Sequence, residues 1–292
     1  MRFAQISDIH VPDFEGVTAR DFMNKRITGA LNLLTGRRGS HPVDLAERLI
    51  ADVSDQHLDH VMVTGDITNL SLPGEFQRVS RLLRLLGGYD NLTVIPGNHD
   101  VYTRGSERQG RFLSYFGDVL FKDDTPTSKR TFPAIKDLGP VTVCALSSAV
   151  PTLPFLAYGK VSATQLDEMV EALSTPAREK QFKVALVHHN LAPQKSAFKQ
   201  WSSRLQNADA VIDRCFQAGV DLLLHGHTHL ANNFTITRDG HTLTITGSGS
   251  STQFTSNPAL VARYNITTVT GRTHKVRTRV YDRHERRFTW LV

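Results

Sequence analysis

The chain has 292 residues, a formal net charge of +6 and an ordinary globular composition, 40% hydrophobic and 21% charged. That length can bury a substantial core, and the composition excludes a collagen-like, disordered or disulfide-built protein. Two cysteines, Cys144 and Cys215, make no disulfide framework, and no apolar run approaches the roughly 18 residues of a spanning helix.

The first half alternates strand and helix. Phe3–Ser7 reads as a strand and is followed by an irregular stretch to His41. Leu45, Ala46, Leu49, Ile50 and Val53 then fall at helical spacing. Strand His60–Thr64, a helix carrying Phe76, Val79, Leu82, Leu83 and Leu86, and strand Leu92–Ile95 come next. Val141–Leu146 is a further strand. Ser162 and Gln165 have the spacing of a capping box opening a helix with Leu166, Met169, Val170 and Leu173 on one face. Strand Phe182–Val187, a helix near Asn207–Ala218 and strand Val220–Leu224 complete the alternation.

Beyond Asn233 the pattern turns all-β: Phe234–Thr237, Thr242–Thr246, Tyr264–Val269, Lys275–Tyr281 and Arg287–Leu291, with Asp239-Gly240 as a hairpin turn. Strands without intervening helices predict that residues 233–292 complete a second sheet packed on the first. No linker interrupts the chain, so one domain spanning 1–292 is expected. Met1-Arg2 runs straight into the first strand without space for a signal peptide, which predicts a cytoplasmic protein. The positive charge suits an anionic substrate or surface, although a modestly basic soluble protein needs neither.

Chemistry gathers where the predicted strands stop. Asp8-Ile9-His10, Gly65-Asp66, Gly97-Asn98-His99-Asp100, His188-His189-Asn190 and Gly226-His227-Thr228-His229 each follow a strand-like run. Strand ends of an open α/β sheet are where such folds place their sites. Asp8 and His10, and likewise His227 and His229, are two residues apart, so on an extended backbone each pair would face one cavity. Imidazole nitrogen mixed with carboxylate and amide oxygen, without thiolate, favours Mn, Fe, Zn or Co. Two divalent ions about 3.5–4 Å apart need a bridging carboxylate, and a hydroxide bridging them can attack phosphorus at neutral pH.

These five ordered motifs resemble those of the calcineurin-like metallophosphoesterases, over roughly Arg2 to Gly249. The resemblance implies a four-layer α/β/β/α sandwich of two packed mixed sheets with a dinuclear site at the strand C-termini. It further implies Asp8, His10 and His229 on one ion, Asn98, His188 and His227 on the other, and Asp66 bridging both. His99 is implied as a non-ligand that assists the leaving oxygen. Asp100 would orient His99, or else simply cap its loop. Of the adjacent pair, His188 is expected to be the ligand rather than His189. His225 should lie on the opposite strand face as a structural residue.

Three segments bear on substrate. In Phe14–His41, Met23, Ile27, Ala30, Leu31 and Leu34 fall at helical spacing among Arg20, Lys25, Arg26, Arg37 and Arg38. Such a helix either packs on the body, caps the site or lies on an anionic membrane at its inner face. Val150–Gly159 is rich in apolar residues and forms either a pocket wall or a packed loop. Lys199, Trp201 and Arg204 could stack a base and hold a phosphate, or Trp201 could be core.

The layout is similar to bacterial cyclic nucleotide phosphodiesterases of this superfamily, which implies hydrolysis of small (cyclic) nucleotide phosphodiesters. The basic insertion resembles the UDP-2,3-diacylglucosamine hydrolases, which implies a pyrophosphatase acting on an acylated UDP-sugar at the membrane. A non-catalytic scaffold of the same fold is the remaining alternative. No dedicated nucleic-acid-binding module is visible.

Overall fold

In the computed structural model, residues 1–13, 40–101, 104–108, 110–153, 156–193 and 196–291 are described. Twelve strands among them build two six-stranded mixed sheets. The first sheet has at its centre β1 (Arg2–Ile6), followed by β2 (His60–Val63) and β3 (Leu92–Val94), all parallel. The second runs through β4 (Ala134–Asp137), β5 (Val141–Ala145), β6 (Phe182–Leu186) and β7 (Leu222–His225), with β5, β6 and β7 parallel.

The C-terminal strands do not all complete the second sheet as the sequence pattern suggested. β8 (Ala231–Arg238) and β9 (His241–Ser248) extend it, and β9 pairs parallel with β7. β10 (Arg263–Thr270), β11 (Thr273–Asp282) and β12 (Arg287–Trp290) cross over and extend the first sheet through antiparallel pairing of β10 with β1. The physical reason is that β1 has a free hydrogen-bonding edge opposite β2. A strand's alternation says it belongs to a sheet, not which edge it will find.

Strand alternation explains the layers. Val141, Val143, Phe182, Val184, Leu186, Leu222 and Leu224 face the first sheet and share its core. Their neighbours Cys144, Ala185, Val187 and Leu223 face outward and bury against helices Ala163–Leu173 and Ala208–Ala218. Helices Val43–Asp55, Pro73–Leu83 and Arg111–Leu120 cover the first sheet through Leu49, Phe76, Phe116 and their neighbours. The result is an α/β/β/α sandwich. Both cysteines are buried free thiols in the outer layer.

Ser162 caps its helix as expected, its hydroxyl accepting from the Gln165 backbone amide at 3.2 Å. The reciprocal half of the capping box is absent: the Gln165 side chain instead pairs with both backbone groups of Ser147. The helix is thereby tied to the loop after β5.

The two sheets are held in register by a buried polar bridge. Gln5 of β1 donates to the carbonyls of His225 on β7 and Thr246 on β9, at 2.9 and 3.3 Å. Asn265 of β10 donates to Gln5 Oε1 at 3.3 Å. Buried amides are costly unless paired, so this contact selects one alignment of the sheets. That alignment brings the C-terminal ends of β1, β2, β3, β6 and β7 to a common rim.

Candidate metal centre

The loops at that rim are stitched together by backbone hydrogen bonds before any side chain acts. Asp8, His10 and Val11 donate to the carbonyls of Gly65, Asp66 and Ile67, each at 3.0 Å. Gly226 donates to His188 at 3.0 Å. The candidate ligand pairs do not sit on extended strand, as their spacing suggested. β1 ends at Ile6 and β7 at His225, and Asp8, His10, His227 and His229 have φ of 50°, 48°, 75° and 56°. Asp66 joins them at 52°. Five non-glycine residues in the left-handed region at one locus mark backbone held against its own preference by its surroundings.

The close approach expected at the glycines is present. A Cβ at Gly97 would lie 2.2 Å from Asp66 Oδ1, and one at Gly226 would lie 2.0 Å from Ser7 Oγ. Any larger residue at either position would displace the groups around the centre.

Asp8, His10, Asp66, Asn98 and His188 are buried, while His99, His227 and His229 line the half-exposed side. The side chains fall into two halves that share Asp66. In the first, His10 Nε2 lies 3.2 Å from His229 Nε2 and 3.9 Å from Asp66 Oδ2. His229 Nε2 is 3.5 Å from Asp8 Oδ1. In the second, His188 Nε2 is 3.3 Å from Asp66 Oδ2 and 3.2 Å from Asn98 Oδ1. His227 Nδ1 is 2.9 Å from Asn98 Oδ1. The Asp8 carboxylate accepts from the His227 backbone amide, so the two halves brace one another.

Hydrogen bonding on the far side of each ring fixes which nitrogen faces inward. His10 Nδ1 donates to the Thr68 carbonyl, His229 Nδ1 to Gln253 Oε1 and His188 Nδ1 to the Thr64 carbonyl. In the neutral ring the inward Nε2 therefore presents a lone pair. Two lone pairs meet at 3.2 Å between His10 and His229, while His188 Nε2 faces the oxygens of Asp66 and Asn98 across a place that only a proton or a cation can fill. Acceptors facing acceptors in a buried place are unfavourable unless a cation lies among them. The donor set fits divalent metals, and three clusters of His and Asp ligand atoms within 4.8 Å of one another recur here: His10, His41, His229; His10, Asp66, His99; and Asp66, His188, His227.

Electrostatics run the same way. Burial alone would raise the Asp66 pKa, yet His188, His99 and His10 together hold it well below the usual carboxylate range. Burial opposes charge on His188, but Asp66 beside it raises its pKa to about 9. Burial and the neighbouring His41 and His99 keep His10 neutral. The centre thus pairs one firmly ionised carboxylate with imidazoles on both sides.

His99 stands at the rim, its Nδ1 donating to the Asn69 carbonyl at 2.6 Å and its backbone amide to Asp66 Oδ1 at 2.8 Å. Asp100 does not orient that ring. Its carboxylate accepts from the amides of Gly97, Ile67 and Thr68 and from the Thr68 hydroxyl, at 2.8 to 3.2 Å. It is a loop cap. Three backbone donors at the turn outcompete a ring that already has a carbonyl partner. His189 lies behind the centre, bonded to Ser148 at 2.8 Å, and His225 is buried against Asn232, as a structural residue should be.

Of the substrate-side segments, 14–39 and Pro154 and Phe155 lie outside the described residues, as does the Lys199 side chain. Trp201 is not core: it is 60% exposed. Arg204 is committed to the Leu191 carbonyl. Sequence reasoning missed His41, Gln253 and Thr68, which brace or adjoin the first half. His41 follows a basic run rather than a strand, and the other two are ordinary loop residues, so nothing local marked them.

Residues 1–231 match the model of the calcineurin-like phosphoesterases. Comparison with curated protein sequences gave no significant match. Among solved structures, a purple acid phosphatase from yellow lupin (Lupinus luteus) seeds is similar with a TM-score of 0.62 and 15% identity over 96% of this chain. This chain spans 51% of that protein's length. A dimetal phosphatase from Danio rerio is similar with a TM-score of 0.60 and 14% identity, over 94% of this chain and 98% of the other. A protein from Thermus thermophilus gives 0.51 and 10% identity, over 94% of this chain and 97% of the other. At such identities the likeness speaks for the fold, and the family match covers most of the chain. The chain belongs to the calcineurin-like phosphoesterases.

Proposed function

We propose that this protein is a dinuclear metal-dependent phosphodiesterase acting on small nucleotides, cyclic ones included. The observation that carries the reading is the pair of acceptor-lined halves sharing Asp66. Asp8, His10 and His229 would hold one ion, Asn98, His188 and His227 the other, with Asp66 between them. Mn, Fe, Zn or Co suits the nitrogen and oxygen donors. Such ions supply Lewis acidity that neutralises a phosphate and activates water.

The protein's own groups do the rest. The buried floor of Asp8, His10, Asp66 and His188 fixes the ligands and excludes bulk water beneath the phosphate. His99, on the half-exposed side with its Nδ1 hydrogen committed to Asn69, would deliver a proton from Nε2 of the protonated ring to the departing oxygen. Trp201, on the helix Ala197–Ser203 whose Ser203 backbone bonds the His227 ring, is exposed and would stack a base.

One observation favours a second reading, an acylated UDP-sugar pyrophosphate at a membrane surface. Leu153, Phe198, Trp201, Leu230 and Phe254 are all at least 40% exposed, and all follow strands at the end of the sandwich that carries the site. An apolar rim around a phosphate site suits an amphiphile. Among the described residues no helix is long and apolar enough to cross a membrane.

A panel of a bis-aryl phosphodiester, an aryl phosphomonoester, cyclic nucleotides, dinucleotides and an acylated UDP-sugar, assayed with Mn²⁺, tests these readings. Diester and cyclic nucleotide turnover is expected to exceed monoester turnover. Preference for the acylated substrate would select the second reading. Two bound ions with no hydrolysis of any member would favour a scaffold.

A further inference from the structure

His41 is not one of the motif residues, yet its side chain completes a triangle of imidazoles. Its ring centroid is 4.9 Å from that of His10 and 5.7 Å from that of His229, which are themselves 5.1 Å apart. With metal–nitrogen bonds of about 2 Å, two imidazoles on one ion have centroids about 5 Å apart. His188 and His227, assigned to the other half, stand 5.2 Å apart. One nitrogen from each of His10, His41 and His229 falls within 4.8 Å of the others. His99 is also 4.9 Å from His10, but its cluster is with Asp66 rather than His229.

The ring is set for this by its neighbours. Thr252 has one hydroxyl hydrogen, and that oxygen lies 2.6 Å from the Ile9 carbonyl, a group that can only accept. Thr252 must then accept from His41 Nδ1 at 2.9 Å, which leaves Nε2 as the lone-pair nitrogen of the ring. The loop after β9 anchors the same segment, since the Phe254 amide donates to the Ser40 carbonyl at 2.7 Å. That loop also supports the first motif: Ser250 Oγ donates to the Asp8 carbonyl at 2.8 Å, and Gln253 receives the His229 Nδ1 hydrogen. His41 is buried, which a solvated surface imidazole would not be.

We infer that His41 is a further protein ligand of the ion held by Asp8, His10, Asp66 and His229. This rests on the dinuclear reading. It makes the first half richer in imidazole than the second, with three rings against two, and so gives the two positions different metal preferences. Nitrogen-rich ligation favours later first-row metals over Mn²⁺. The first half should therefore be the one that exchanges first to Zn²⁺ or Co²⁺ in protein loaded with Mn²⁺ at both positions.

The test is metal titration of chelator-stripped full-length protein with Co²⁺, followed by calorimetry and by the visible d–d absorption, which reports ligand number directly. His41→Asn keeps a donor for Thr252 but removes the inward nitrogen, and His41→Ala removes both. Both variants should bind the second ion as the wild type does and weaken the other at least about tenfold, with a changed cobalt spectrum. Circular dichroism checks that each is folded, and His41→Asn guards against a packing defect in His41→Ala. Wild-type affinity and spectrum at both sites in folded His41→Asn would overturn the inference while leaving the dinuclear reading intact. Wild-type protein that binds no Co²⁺ would overturn both.

Discussion

Two buried polar regions of this molecule differ in how their partners are matched. At the helix-covered side of the first sheet, Arg279 donates Nε and Nη2 to the two Asp52 carboxylate oxygens, both at 2.7 Å, and Nη2 also to the Phe288 carbonyl. Tyr264 donates to the same carboxylate at 2.5 Å. At the opposite, β3 edge of that sheet, Lys136 of β4 likewise donates to the carbonyls of Tyr89, Leu92 and Val119 at 2.5 to 2.6 Å. Each of these donor atoms meets an acceptor. At the strand-end rim, the inward nitrogens of His10 and His229 meet as two acceptors, and His188 faces the Asp66 carboxylate only through a proton or a cation between them. A buried polar network that closes on itself stabilises a fold, whereas one that cannot close needs a ligand to complete it.

The contrast can be broken at its strongest point with Asp66→Ala. Because Asp66 faces both halves, elemental analysis should show both ions lost together, and phosphodiester turnover should fall by at least about a thousandfold. Full two-ion occupancy with full activity would sink the assignment. His99→Ala should instead spare the metal content and lower kcat by about 10²–10⁴. A metal loss equal to that of Asp66→Ala would make His99 a ligand rather than an acid.

The matched region should respond in stability rather than in chemistry. Arg279→Met leaves the Asp52 carboxylate without its bidentate partner in a place where both side chains are mostly covered. Denaturant unfolding should show a loss of about 3 kcal/mol with metal stoichiometry unchanged. A loss of bound metal in folded Arg279→Met would show that the regions are coupled.

The smallest effect sharpens the comparison through pH. His60 is bonded to the Asp90 carbonyl and the Thr93 hydroxyl, and burial, with Lys136 nearby, lowers its pKa to about 4 from 6.5. The unfolded chain then takes up this proton first. The stability due to the neutral ring is complete above about pH 6.5 and drains as pH falls towards 4, by about 2–3 kcal/mol. His60→Gln should flatten that slope in acid unfolding curves. An unchanged slope would place the acid sensitivity elsewhere.

Much of this was readable from the sequence for a physical reason. The strands β1, β2, β3, β6 and β7 are runs of apolar or alternating residues followed closely by Gly, Asp or His, and their ends carried the motif order. Period and punctuation are local properties, so they survive without coordinates. The edge that β10 would choose was not local, because pairing to β1 depends on a strand 260 residues away in the chain. Asp100 shows the same limit on a smaller scale. Its neighbour in sequence is His99, but its partners are the amides of Ile67 and Thr68 across the rim.

The sequence by itself determined the residue types at the strand ends and their order, and with them the donor chemistry and the family. Only the tertiary structure decided which nitrogen of each imidazole faces inward, since that follows from the carbonyl or amide behind the ring at Thr68, Thr64 and Gln253. It also decided that Asp8, His10, Asp66, His227 and His229 adopt left-handed backbone rather than continuing their strands. And it brought His41, from outside every motif, to the first half of the centre, because Thr252, 211 residues further along the chain, holds it there.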